Sequence, residues 1–265
     1  MCHHINAGNV EMSMLKLCLS EKIYSCVDKV EFGAYSTNRA LNLKDGFRSF
    51  VGKKALIPRE CIEFSIAQAR DLNQLKNRPG GDIERESLEM LANTLQGKYA
   101  ECILYKLIGR LGLKCSEVDF ARTEHGKGDS GDLIIEDRIR CQVKTMSNYS
   151  NCLLIETKNI NKTLSDCDIF SVVRVKPHIT ESFLLSCGIT SKMFKDNIDV
   201  IFNMLSNKLY DFEVTGFATI DMLKEAIKQG NIVYKNYYLG RSKLDAENYY
   251  IVIKDFLPIK SIFTF

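Results

Sequence analysis

Asp132, Gln142 and Lys144 are the residues whose types and spacing suit chemistry most directly. Gly131-Asp132-Leu133-Ile134-Ile135 is followed, after the polar break Glu136-Asp137-Arg138, by Cys141-Gln142-Val143-Lys144. Two short apolar runs split by a polar triplet predict a β-hairpin. Strand side chains alternate, so Gln142 and Lys144 share one face and Val143 takes the other. Antiparallel pairing then brings an Asp, a Gln amide and a Lys toward one end of a sheet. Asp132 offers hard anionic oxygen to a divalent cation, and the Gln142 carbonyl oxygen offers a weaker, neutral one. Such an oxygen set suits Mg²⁺ better than zinc. Lys144 is suited to hold an attacking water and to stabilise charge growing on a phosphate.

Several elements must position this set. The run Arg122-Thr123-Glu124-His125-Gly126-Lys127-Gly128-Asp129-Ser130 is a glycine-rich polar loop feeding Asp132. Its backbone amides can approach a phosphate, with Arg122 and Lys127 adding charge. His125 reads as a proton shuttle or as a solvated loop residue. Asp129 competes with Asp132 for the metal. Asp132 is preferred because it abuts the apolar strand, which fixes its position. Ahead of the loop, a long helix is predicted from Asp82 to about Leu111. Asp82 serves as N-cap, and Leu88, Leu91, Leu95, Tyr99, Ile103 and Leu107 form one apolar stripe. Glu101 lies on or beside that buried face, and Gly97 one turn earlier leaves room for another backbone. A buried acid needs a partner or a metal. Lys98 and Lys106 are the candidate partners.

These residues resemble the PD-(D/E)XK nucleases, which include most type II restriction endonucleases and the Mrr-like type IV enzymes. That signature is an Asp, a variable gap, then Glu/Asp/Gln-x-Lys on the next strand. Here it reads Asp132, nine residues, Gln142-Val143-Lys144. Gly131 stands where the family name has Pro. Gln142 replaces an acid, as in some restriction enzymes and in Mrr-like ones, and lowers the negative charge of the site. The resemblance implies that Asp132 and Glu101 hold Mg²⁺, with Mn²⁺ as a substitute, helped by the Gln142 amide and the Val143 carbonyl. Lys144 then orients the water for in-line attack on a phosphodiester of double-stranded DNA. It further implies a site-specific, cytoplasmic enzyme, a homodimer matched to a palindrome, and a cognate DNA methyltransferase in the same system. Candidate DNA contacts are Arg122, Lys127, Asn148, Tyr149, Lys235, Tyr237, Arg241 and Lys243. Three alternatives stay open: an Mrr-like nuclease for modified DNA, a junction or repair nuclease, and a non-catalytic DNA-binding module.

The rest of the chain sets the frame. Its 265 residues suffice for one large or two small domains. A net charge of +3 is compatible with nucleic acid without arguing for it. No apolar run approaches the length of a membrane span, and no signal peptide is evident at Met1-Cys2-His3-His4. Ten cysteines stand singly, with no Cys-x2–4-Cys pair, which argues for reduced thiols rather than structural zinc.

Residues 1–80 read as a mainly helical N-terminal region, suited to dimerisation or DNA contact. It holds a helix over 14–30, a polar, turn-rich and basic stretch over 32–51, and a helix opened by Pro58. Pro79-Gly80-Gly81 punctuates its end. Residues 81–265 form the nuclease-like core. Strands are expected at 116–120, 152–157, 169–175, 212–218 and 249–253. Helices are expected around 183–185, over 193–209 and over 220–228. Tyr234 to Lys243 is a loop in which basic and aromatic residues interleave, a composition that suits base or backbone contact. The fold class is α/β, a central mixed β-sheet flanked by helices in the manner of a restriction-endonuclease core.

Overall fold

The computed structural model describes residues 31–35, 49–71, 87–120, 132–147, 150–194, 197–239 and 242–265. The chain is α/β. Its main sheet is mixed and six-stranded, in the order β1-β2-β7-β6-β4-β3. The strands are β1 (Glu31–Tyr35), β2 (Ser49–Ala55), β3 (Leu133–Ile135), β4 (Ile139–Thr145), β6 (Ile169–Lys176) and β7 (Tyr210–Thr219). β4 and β6 run parallel, and every other neighbouring pair is antiparallel. A smaller sheet joins β5 (Cys152–Glu156), β11 (Asn248–Val252) and β8 (Ile232–Val233).

The main sheet has a core on each face because β6 is apolar on both. Ile169, Val173 and Val175 face the larger core, and Phe170 and Val172 face the smaller one. A strand buried on both sides reads as a continuous apolar run, and Ile169–Val173 is fully buried. The larger core is closed by α1 (Arg59–Asp71) and α2 (Ser87–Arg110), with α4 (Glu181–Ser186) and α5 (Ile198–Ser206) beside them. The smaller core is closed by the three-stranded sheet, by α3 (Ile160–Asp166) and by α6 (Ile220–Lys228). Thr219 caps α6, its hydroxyl accepting from the Met222 amide.

The described part of residues 1–80 holds two strands and the helix opened by Pro58. The stretch read as a polar, turn-rich loop ends in β2, which pairs with β7. Local composition hides this strand because its stability comes from across the sheet. The Phe212 ring lies over Gly52, its cross-strand partner. Alanine at position 52 would put a Cβ 2.2 Å from that ring. Gly52→Ala should therefore cost about 1–3 kcal/mol through overpacking, read as a lower urea midpoint. The strand expected at Ser116–Phe120 is corrected: none forms there. The chain meets β3 just before, through the isolated bridge Cys115 to Ile135 and the Ser116 amide donating to the Ile134 carbonyl at 2.8 Å, and β3 is three residues long.

The helix expected over 193–209 is broken. A 3-10 turn at Ser191–Phe194 precedes α5. The helix 14–30, the Pro79-Gly80-Gly81 boundary and the Asp82 cap lie outside the described residues. Residues 49–71 nonetheless share the sheet and the larger core with the rest of the chain.

A buried amide ties α2 to the segment entering α4. Gln96 Oε1 accepts from the Ile179 amide at 2.8 Å, and Gln96 Nε2 lies 2.9 Å from His178 Nε2. The amide nitrogen is a donor, so His178 Nε2 must accept and the imidazole must be neutral. Burial accordingly lowers the His178 pKa below 6.5. The unfolded chain binds a proton there at a pH where the folded chain does not. Stability should thus fall as pH drops below about 6.5. Urea midpoints at neutral and mildly acidic pH test this, and His178→Gln should flatten the dependence.

Candidate active site

The β3–β4 hairpin pairs Leu133 with Cys141, Ile134 with Arg140 and Ile135 with Ile139. Glu136 and Asp137 take positive φ of 52° and 55° to turn the chain. Lys114 clasps this turn, its ammonium 2.5 Å from Asp137 and its amide bonded to the Glu136 carboxylate. At the same end of β4, one residue in from the turn, Arg140 grips Asp168 through its backbone N, Nε and Nη2. That grip sets β4 beside the start of β6, and Arg140 holds the Asp168 carboxyl below its ordinary range.

Asp132 sits where β3 begins. Its backbone amide donates to the Cys141 carbonyl at 3.0 Å, and its Oδ2 accepts from the Val143 amide at 2.6 Å. The carboxylate is thereby pinned to the backbone of β4 between Gln142 and Lys144. The geometry also fixes where the Val143 carbonyl goes. A strand residue's N–H and C=O leave on the same side. Val143 donates toward Asp132, so its carbonyl points to the same edge, away from β6. Two oxygen donors of the expected set, the Asp132 carboxylate and the Val143 carbonyl, therefore meet at one sheet edge.

Gln142 and Lys144 are half-buried on the opposite face from Cys141 and Val143. They stand beside Phe170 and Val172 of β6, both in the smaller core. Among the described residues neither side chain makes a hydrogen bond or ion pair. Nearby, the Cys167 thiol is pushed up to about 12, chiefly by burial. The Gln142 backbone and the Lys144 charge act to lower it, and Asp168 and Asp132 to raise it. Arg174, two residues beyond Val172 on that face, bonds Glu213 across the sheet at 3.0 Å and the Ser150 carbonyl at 2.7 Å. The second bond ties the connection after β4 back to the sheet.

Glu101 has a different setting. It is 7 % exposed on α2, the helix that packs over β3 and β4. Its Oε2 lies 2.8 Å from Lys98 Nζ, and both side chains are almost wholly buried. Lys98 also stands 5.3 Å from the centre of the Phe64 ring on α1. Glu101 is one of the charges acting on Cys61, which touches Cys102 at 3.5 Å between the same two helices. Of the two partners weighed for a buried Glu101, Lys98 is the one it meets. Among the described residues, nothing comes within 4 Å of where a Cβ on Gly97 would stand, so the close backbone expected there is not seen.

Among the described residues, no group of three or more His, Cys, Asp or Glu side chains is placed to hold a metal ion. Arg122, His125, Lys127, Asp129, Asn148, Tyr149 and Arg241 lie outside the described residues. Lys235, Tyr237 and Lys243 are exposed on an outlying hairpin, away from the β3–β4 edge in the chain. Lys98 was one of the two partners weighed for Glu101 from sequence, and it stands at the facing i, i+3 spacing. Arg174 was not singled out: nothing local marked it, and its partner is 39 residues away. No helix among the described residues is long and apolar enough to cross a membrane.

No family model, curated protein or solved structure matches the chain.

Proposed function

We propose that this chain is a Mg²⁺-dependent endonuclease that hydrolyses phosphodiester bonds of double-stranded DNA, most like a type II restriction enzyme. One observation carries the reading. The Asp132 carboxylate is hydrogen-bonded to the strand backbone between Gln142 and Lys144. The bond holds the Asp132 carboxylate against the strand that carries Gln142 and Lys144, which supports the Asp-x9-Gln-x-Lys reading. The donor chemistry fits a hard cation, with one carboxylate, one peptide carbonyl and one amide oxygen available. Bound Mg²⁺ would supply a Lewis acid and lower the pKa of a water.

The chain's own residues do the rest. Asp132 fixes the edge of β4 and supplies anionic oxygen there. Gln142, neutral where related sites have an acid, leaves the site less negative and so less repulsive to a phosphate. Lys144 orients the attacking water and donates to the charge that grows on the phosphoryl oxygens. Glu101 pairs with Lys98 through Oε2, which supports a structural share in its role beside that of second carboxylate. α2 ahead of the Asp132 strand, packed over it, supports a restriction-endonuclease-like core. A homodimer, with each copy cutting one strand of a palindrome, follows from the type II reading.

Incubation of the wild-type protein with supercoiled plasmid tests this. Mg²⁺ should give discrete fragments, and chelation should abolish them. Cutting confined to plasmid carrying modified bases would favour the Mrr-like reading. Preference for four-way junctions would favour a junction nuclease. Salt-dependent binding without cutting in Mg²⁺ or Mn²⁺ would leave a DNA-binding module and overturn the enzyme.

A further inference from the structure

The hairpin between β8 and β11 carries surface that the β3–β4 edge does not use. β9 (Tyr238–Leu239) and β10 (Ser242–Lys243) pair antiparallel, Lys243 opposite Tyr238 and Ser242 opposite Leu239. The stem is closed by Asn236 N to Leu244 O at 2.9 Å and Leu244 N to Tyr237 O at 2.9 Å. Three of its side chains are large, aromatic and in water: Tyr234, Tyr237 and Tyr238 are 64 %, 60 % and 62 % exposed. They fall within five consecutive residues on a hydrogen-bonded frame, so their rings are displayed rather than collapsed onto a core. Among the described residues from Tyr234 to Leu244 the charged ones are Lys235 and Lys243, and the acids Asp245 and Glu247 come only after the stem closes.

We propose that this hairpin binds unpaired nucleotides, its tyrosines stacking on bases and its cations meeting the phosphates. Aromatic rings take the π-face of any base, and that face is free only where the base is unstacked from its neighbours. A continuous duplex hides those faces and would leave the tyrosines only groove edges and phosphates. Lys243 beside Tyr238 puts a cation next to a ring, the pairing that a stacked base with its own phosphate matches. The substrate of the proposed nuclease would then be duplex DNA with a single-stranded or opened stretch nearby. The location agrees with a contact remote from the scissile bond. The hairpin leaves the smaller sheet at the Glu156 and Asn248 end, whereas Cys152, at the other end of β5, follows β4 by a short connection. The inference rests on the nuclease reading for its substrate, but its test does not need cleavage.

The chain has no tryptophan, so its intrinsic emission comes from tyrosine. With chelator present, an oligothymidylate of about ten nucleotides should quench that emission on binding. The same length of duplex should owe little of its binding to the tyrosines. Tyr237→Leu with Tyr238→Leu keeps apolar bulk, removes the rings and should lower single-strand affinity by at least about tenfold. Thermal unfolding should be unchanged, since both side chains are exposed. Equal single-strand affinity of the variant and the wild type, or a loss as large for duplex as for single strand, would overturn the proposal. Plasmid cleavage unaffected by either result keeps the two readings separate. Binding without cleavage would remove the nuclease alone, and cleavage without quenching would remove the hairpin site alone.

Discussion

Replacing Lys144 by alanine should slow Mg²⁺-dependent DNA cleavage by about 10²–10³-fold, the usual loss when a charge-stabilising donor is removed from a hydrolytic site. The side chain is half-buried beside Val172 and makes no hydrogen bond or ion pair among the described residues. Removing it therefore strands no buried partner there, and the unfolding temperature should scarcely move. The loss should fall on kcat, because the ammonium meets charge that appears only as the phosphodiester reacts. Single-turnover cleavage of a defined fragment, beside a thermal melt of each protein, checks this. Equal rates for the variant and the wild type would remove Lys144 from the mechanism.

Glu101→Leu should have the largest effect on stability. It leaves Lys98 charged, almost wholly buried and without the carboxylate at 2.8 Å. Breaking a buried pair from one side typically costs about 3–5 kcal/mol, a large share of the about 5–15 kcal/mol that holds an ordinary domain together. Urea denaturation should show that loss. Adding Lys98→Met should recover most of it, since an apolar pair of similar volume is often no less stable than the ions it replaces. The double variant also separates the two roles of Glu101. If the carboxylate only balances Lys98, the refolded double variant cuts DNA. If it serves the metal as well, the double variant is stable and inactive.

The contrast between the two carboxylates shows what was legible in the sequence. Asp132, the apolar runs around it and the Gln142–Lys144 alternation are local patterns, and the hairpin forms with Leu133 opposite Cys141 as the polar break predicts. The helix at Ile220–Lys228 and the strands at Ile169–Lys176 and Tyr210–Thr219 follow from local periodicity and flanking signals in the same way. β2 does not. Its residues look like a polar loop until Phe212, 160 positions later, covers Gly52. Glu101 was visible as an acid on an apolar helix, but sequence left Lys98 and Lys106 as equal partners. Helix geometry separates them, because Lys98 is three residues from Glu101, a facing position, and Lys106 is five away. The failure at Ser116–Phe120 has the origin of that at β2. A strand depends on a partner from elsewhere in the chain, and β3 supplies three residues.

The account stands or falls on the sheet edge where Asp132 meets Val143. Asn at position 132 still presents an oxygen to accept from the Val143 amide, so Asp132→Asn keeps the local fold and removes only the anionic charge. The decisive measurement is the cleavage rate of supercoiled plasmid across a Mg²⁺ titration, wild type beside Asp132→Asn. The account predicts saturable, Mg²⁺-dependent cutting by the wild type and at least about a hundredfold less by the variant at every concentration. Indistinguishable titrations for the two proteins, or no cutting by the wild type on any DNA, would contradict it.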